Sequence, residues 1–185
     1  MTNTSVKRKL SVKTQTLATI GAVAGAVILP QLFHLMGAVS GLGTALGEAF
    51  LPMHLPIILA GLLAGPYVGA IAGVLSPLIS FALTGMPGAA MLPFMMIELC
   101  VYGLSSGLLR SVKMPTIAKV VIAQLAGRGV RAIAILIVVY AFGSNSIPVA
   151  VIWNSIVTGI FGIVLQWAFI PLIVYRAENR NDKAE

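Results

Sequence analysis

Charge is what this sequence most lacks. Asp, Glu, Lys and Arg make up 9% of the 185 residues, against about 25% in soluble domains. From Ala49 to Ile97 there is none, and only His54 titrates near neutral pH in that stretch. Such a run has no polar face to hold water, which excludes a soluble globular domain, and it is too long for a single membrane crossing. Cysteine is almost absent. Cys100 stands alone inside an apolar run, so no intrachain disulfide is possible and the redox compartment is left open. There is no G-x-x-x-x-G-K-[ST] loop, which excludes ATP hydrolysis by this chain. The net charge of +7 does not indicate nucleic acid, because the basic residues cluster at the two ends and in one connection, the pattern of a membrane topology signal.

What is present is apolar sequence, 58% of the chain, cut by proline, glycine and charge into segments at 14–36, 49–64, 66–84, 89–111, 115–142 and 147–175. Read as one helix, 49–84 would run about 54 Å at the helical rise, against a hydrocarbon core of about 30 Å. It must turn back, and Gly65-Pro66 is the strong breaker near its middle. Lys7, Arg8, Lys9 and Lys13 precede the first segment. Arg110, Lys113 and Lys119 surround the fourth-to-fifth connection, and Arg176, Arg180 and Lys183 follow the last. Six crossings put all three groups on one side, the cytoplasm, whereas five would split them. The expectation is an all-α integral membrane protein: a six-transmembrane-helix bundle over 14–175, with a basic N-terminus over 1–13, a polar tail over 176–185 and both termini cytoplasmic. The Ala-x-Ala at Ala24 and Ala26 resembles a signal-peptide cleavage site. The short apolar run before it, and small residues beginning as early as Ala18, argue against cleavage.

Small residues recur at Ala18, Ala22 and Ala26, with Gly21 and Gly25 beside them. Four-residue spacing puts them on one helix face where another helix can approach closely, either within the bundle or from a partner protein. A second series, Gly61, Gly65, Gly69 and Gly73, crosses the proposed turn and reads as close packing of the second and third spans on each other or on neighbours. Three charges lie deep in the other spans: Glu98 in the fourth, Arg128 and Arg131 in the fifth. Each is costly in lipid unless paired or facing water. Starting the fourth span at 89 and the fifth near 115, Glu98 is ~14 Å down from one surface, Arg128 ~20 Å and Arg131 ~24 Å up from the other. Glu98 and Arg128 then share a layer in the outer half, which predicts a Glu98–Arg128 pair and leaves Arg131 free. Trp153 and Asn154 fall at this depth too, and Gln124 lies lower. The expectation is a polar pocket open to the outside, with one Glu against two Arg suiting an anionic or carbonyl-rich ligand.

His54, between Pro52 and Pro56, is a further cavity residue; with only His34 for company it is not expected to bind metal. Met86, in the tight Gly85-Met86-Pro87-Gly88 connection, is read as part of a lid, and Met91, Met95 and Met96 suit an adaptable apolar wall. Gly103-Leu104-Ser105-Ser106-Gly107 matches G-x-S-x-G. That pattern marks a nucleophile only at a strand-to-helix elbow, and here it lies inside a helix.

The chain resembles the substrate-binding S components of energy-coupling factor (ECF) vitamin transporters over residues 14–175. The residues carrying this are the alanine face, the run Leu51-Pro52-Met53-His54-Leu55-Pro56 leading to Ala60-Gly61 and Ala64-Gly65-Pro66, then Gly85-Met86-Pro87, Glu98-Leu99 with Tyr102-Gly103, and Ala126-Gly127-Arg128. The resemblance implies a multi-pass protein of the bacterial plasma membrane that binds a vitamin near the outer surface. It implies docking through Ala18, Ala22 and Ala26 onto an energising transmembrane subunit carrying two cytoplasmic ATPases. ATP and Mg would be used by those partners, with no cofactor on this chain. The pocket would be formed by the fourth to sixth spans, capped by the first and the third-to-fourth connections. Seven Phe, four Tyr and two Trp are too scattered for the aromatic cage of a thiamine-like cation. Cobalamin, pantothenate, pyridoxine-type compounds and hydroxymethylpyrimidine remain open. The competing reading is a self-sufficient secondary transporter, which should show internal repeats and broken helices; no clear repeat is present. A membrane enzyme would need a clustered nucleophile, base or metal set.

Overall fold

The computed structural model describes residues 10–143 and 147–182. Lys7, Arg8, Lys9 and Lys183, on which part of the orientation argument rests, lie outside the described residues.

Local chemistry sets the element ends. The first helix, α1 (Val12–Ser40), begins where the Ser11 hydroxyl accepts the Thr14 backbone N–H and stops at Gly41, whose left-handed conformation (φ 76°) favours glycine. A short α2 (Ala45–Phe50) ends at Leu51, a non-glycine residue with φ 48°. Then α3 (His54–Ala64) runs to Gly65, and Pro66 opens α4 (Pro66–Thr84) at the first helical position, where its missing N–H has no bond to lose. The breaker at Gly65-Pro66 therefore acts as expected. The fourth span is α5 (Leu92–Leu108), extended by a 3-10 turn at Leu109–Ser111. Next comes α6 (Thr116–Leu136), continued by a π turn at Ile137–Ala141. The last predicted segment, 147–175, is not one helix. It breaks at Gly159 into α7 (Val151–Thr158) and α8 (Ile160–Asp182).

Among the described residues, six helical stretches are long and apolar enough to span a bilayer: Val12–Ser40, Ala45–Ala64, Pro66–Thr84, Leu92–Ser111, Thr116–Ala141 and Ile160–Asn179. With no strand among the described residues, the molecule is an all-α six-span membrane bundle. Leu17, Leu83, Leu125 and Phe161 project from its outside, where lipid replaces water as the contact.

Glycine sets how closely the middle helices approach. A Cβ on Gly69 would strike the backbone of Gly103, and one on Gly73 the backbone of Leu99. Gly61 faces the Ser106 hydroxyl and the Gly103 carbonyl in the same way. The glycine series of α3 and α4 thus packs on α5. The G-x-S-x-G pattern supplies the other half of that contact: Gly107 abuts Pro66, and the Ser106 hydroxyl donates to the Gly103 carbonyl at 3.2 Å. It is a packing surface inside a helix. Around it lies the core, with Ile57, Ile58, Leu99, Tyr102, Val120 and Ile170 all fully enclosed.

Candidate functional site

One end of the bundle is hollow. The C-terminal ends of α1 and α4, the α2–α3 turn, the first half of α5, the second half of α6 and α7 surround a cavity of about 400 Å³, within the range of roughly 300–1,000 Å³ usual for ligand pockets. Of the residues singled out from the sequence, His54, Met86, Met91, Met95, Glu98, Arg128, Arg131 and Asn154 line it. Met96 and Trp153 do not. Trp153 is 70% exposed on the outer side of α7. Neighbouring residues on a helix point about 100° apart, so turning Asn154 to the cavity turns Trp153 away.

The ionic centre differs from the predicted pairing. Arg131, not Arg128, holds Glu98: its Nη1 lies 2.9 Å from Glu98 Oε2. The physical reason is rotation about α6. Arg131 stands four residues after Gly127, where α6 lies against Tyr102 and Glu98 of α5, and so shares that face. Arg128, one residue after Gly127, points about 100° away and reaches the Ser155 carbonyl of α7. The other carboxylate oxygen, Oε1, accepts the Tyr102 hydroxyl at 2.7 Å and lies 4.0 Å from His54 Nε2. Glu98 is 1% exposed, so these partners are what make a carboxylate tolerable at this depth. Gly127 permits the arrangement. A side chain there would collide with the Tyr102 ring and the Glu98 carbonyl, so α6 can lie against α5 only without one.

Arg128 is left outside this cluster. Its Nη1 donates to the Ser155 carbonyl of α7 at 3.3 Å, and its Nε is buried without a partner. Below the cavity a polar chain ties α6 to α8: Gln124 Nε2 donates to Gln166 Oε1 at 2.9 Å, and Trp167 Nε1 donates to Gln124 Oε1 at 2.7 Å. Gln166 Nε2 reaches the Leu51 carbonyl at 3.4 Å, anchoring the α2–α3 turn that presents Met53 and His54.

Several wall residues were not singled out from the sequence. Ser80, 1% exposed on α4, and Glu48, on α2, both line the cavity. Tyr102, which does not line the cavity but bonds Glu98, had a legible signal, since it stands four residues after Glu98 on the same helix face. Ser155 had none, because it contributes a backbone carbonyl made available by the break at Gly159.

The alanine face needs correction as a free surface. Ala26 is fully buried in the core and Ala22 packs against it, with Ala18 half-buried. Gly25 sits beside Pro56 of α3, so the stripe turns inward onto the chain's own helices. Gly21 alone of the five candidates stands exposed with open space beyond it, flanked by exposed Leu17, Ile20 and Ala24.

Residues 15–174 match the model of the family described as ECF transporter, substrate-specific component. The chain belongs to that family. No curated protein and no solved structure matches it. Members are transport subunits rather than catalysts, and the six apolar spans agree with a multi-pass protein of the cell membrane.

Proposed function

We propose that this S component captures a vitamin or related micronutrient in the cavity around Glu98, Arg128 and Arg131, and that an energising transmembrane subunit with two cytoplasmic ATPases drives its delivery. The observation that carries the reading is a ligand-sized recess holding a buried ion pair and an unneutralised arginine at one end of the bundle. The distribution of Lys and Arg in the sequence supports an outward-facing mouth and cytoplasmic termini. With a cavity of about 400 Å³, a large ligand such as cobalamin would be held by one portion and protrude through the mouth, whereas pantothenate, a pyridoxine-type compound or hydroxymethylpyrimidine would be largely enclosed. Docking is assigned to α1 along the exposed edge of Leu17, Ile20, Gly21 and Ala24, with Ala18 at its border. Ala22 and Ala26 join that surface only if α1 shifts from its present packing.

The test is purification of the chain without partners, denaturation, and mass spectrometry of what is released. The expected result is a stoichiometric micronutrient. The same protein in proteoliposomes should bind that compound but not accumulate it. Accumulation by the isolated chain would instead establish a secondary transporter.

A further inference from the structure

We infer that the ligand carries an anionic group, a carboxylate or a phosphate, and that the Arg128 guanidinium receives it. This rests on the reading of the cavity as a substrate site. The charged and titratable groups on the wall are Glu48, Glu98, Arg128, Arg131, His34 and His54. Glu98 is already committed on both oxygens, to Arg131 and to Tyr102. Glu48 is exposed and accepts from the Thr44 hydroxyl at 3.1 Å. Arg131 therefore positions Glu98 and is neutralised by it. Arg128, three residues before Arg131 and also on the cavity wall, has no carboxylate partner among the described residues. Its Nη1 bonds a neutral backbone carbonyl at 3.3 Å. The Nε atoms of both arginines are buried and unpaired, so what distinguishes Arg128 is the absence of a carboxylate.

A half-buried guanidinium is always charged and presents several donors in a planar fork. An anion entering the cavity supplies both the missing charge and acceptors for the fork, and a charge-assisted pair shielded from water is stronger than one in bulk solvent. A cationic ligand meets the opposite situation, because the buried carboxylate on this wall is already spent. A neutral ligand leaves the Arg128 charge uncompensated. The chemical class is thus a small water-soluble acid, not a cationic heterocycle.

The experiment uses the full-length chain in detergent. Thermal stabilisation and calorimetric affinity are measured for matched acid and neutral probes: pantothenate with pantothenol, nicotinate with nicotinamide, and pyridoxal 5′-phosphate with pyridoxal. The co-purified compound is identified by mass spectrometry in parallel. The expected result is an acidic released compound, binding by the acid of one pair in clear preference to its neutral partner, and a loss of about a hundredfold in affinity in Arg128→Gln. Arg128→Lys, which keeps the charge and loses the fork, should fall between. A neutral or cationic released vitamin, a released phospholipid, equal binding of both pair members, or unchanged affinity in Arg128→Gln overturns the inference while leaving the chain a substrate-binding subunit. Release of no small molecule together with no binding by any probe overturns the substrate-site reading itself, and the inference with it.

Discussion

Glu98 is the residue on which the cavity depends. Its carboxylate is enclosed by α5 and α6 and is balanced by Arg131 on one oxygen and the Tyr102 hydroxyl on the other. Removing one member of a buried pair strands the other's charge, at a cost of about 3–5 kcal/mol. Glu98→Gln should therefore lower thermal stability in detergent far more than Tyr102→Phe, for which about 1–3 kcal/mol is expected. Thermal unfolding of the two variants checks the order, and an unaltered melting profile for Glu98→Gln would remove the pair from its structural role. That these residues form a polar site was legible from their depth in otherwise apolar spans. Which arginine takes Glu98 was not, because depth carries no information about rotation: Arg131 shares the face that Gly127 turns to α5, and Arg128 is turned from it toward α7. Trp153 and Asn154 make the same point: depth places both in the outer half, and only the orientation of α7 puts Asn154 on the cavity wall and Trp153 off it.

At the scale of elements, glycine on α3, α4, α5 and α6 decides how closely the helices meet. Gly69 and Gly73 press against the α5 backbone, while Gly21 has nothing within 4 Å of its would-be side chain. Gly69→Ala and Gly73→Ala should each destabilise the bundle by about 1–3 kcal/mol through forced backbone separation. Gly21→Ala should be neutral or stabilising by up to about 1 kcal/mol, since alanine is the better helix former. Thermal unfolding of the three variants side by side tests this, and equal losses at all three positions would show that packing does not distinguish them. The four-residue spacing announced close approach in both series but carried no information about the neighbour. Gly61, Gly69 and Gly73 meet α5, and Ala22 and Ala26 turn into the core, because a stripe of small residues is equally suited to any helix that reaches it. The α7–α8 break was also hidden. Gly159 and Gly162 lie where side chains would collide with Leu51, and with the Phe50 backbone, so the last span must bend around the α2–α3 turn.

For the whole molecule, the proposed orientation places the α4–α5 connection outside and the α5–α6 connection inside. In a Cys100→Ala background, a cysteine introduced at the exposed Gly88 should react with a membrane-impermeant maleimide in intact cells. One at the exposed Lys113 should react only after the membrane is opened. The reverse labelling pattern would invert the topology and put the cavity mouth on the cytoplasmic face.

Composition and the placement of Gly65-Pro66 sufficed to establish the solvent, the number of crossings and the layer in which charge is buried. Each follows from a penalty that local sequence carries by itself: the expense of charge in hydrocarbon, the rise of a helix against the bilayer thickness, and the inability of proline to continue a helix. The ion-pair partner, the inward turn of the alanine stripe and the division of the last span were decided only in three dimensions. They depend on the rotations of neighbouring helices about their own axes, which are set where backbones touch through glycine, and the face of α6 that Gly127 turns to α5 selects Arg131 over Arg128.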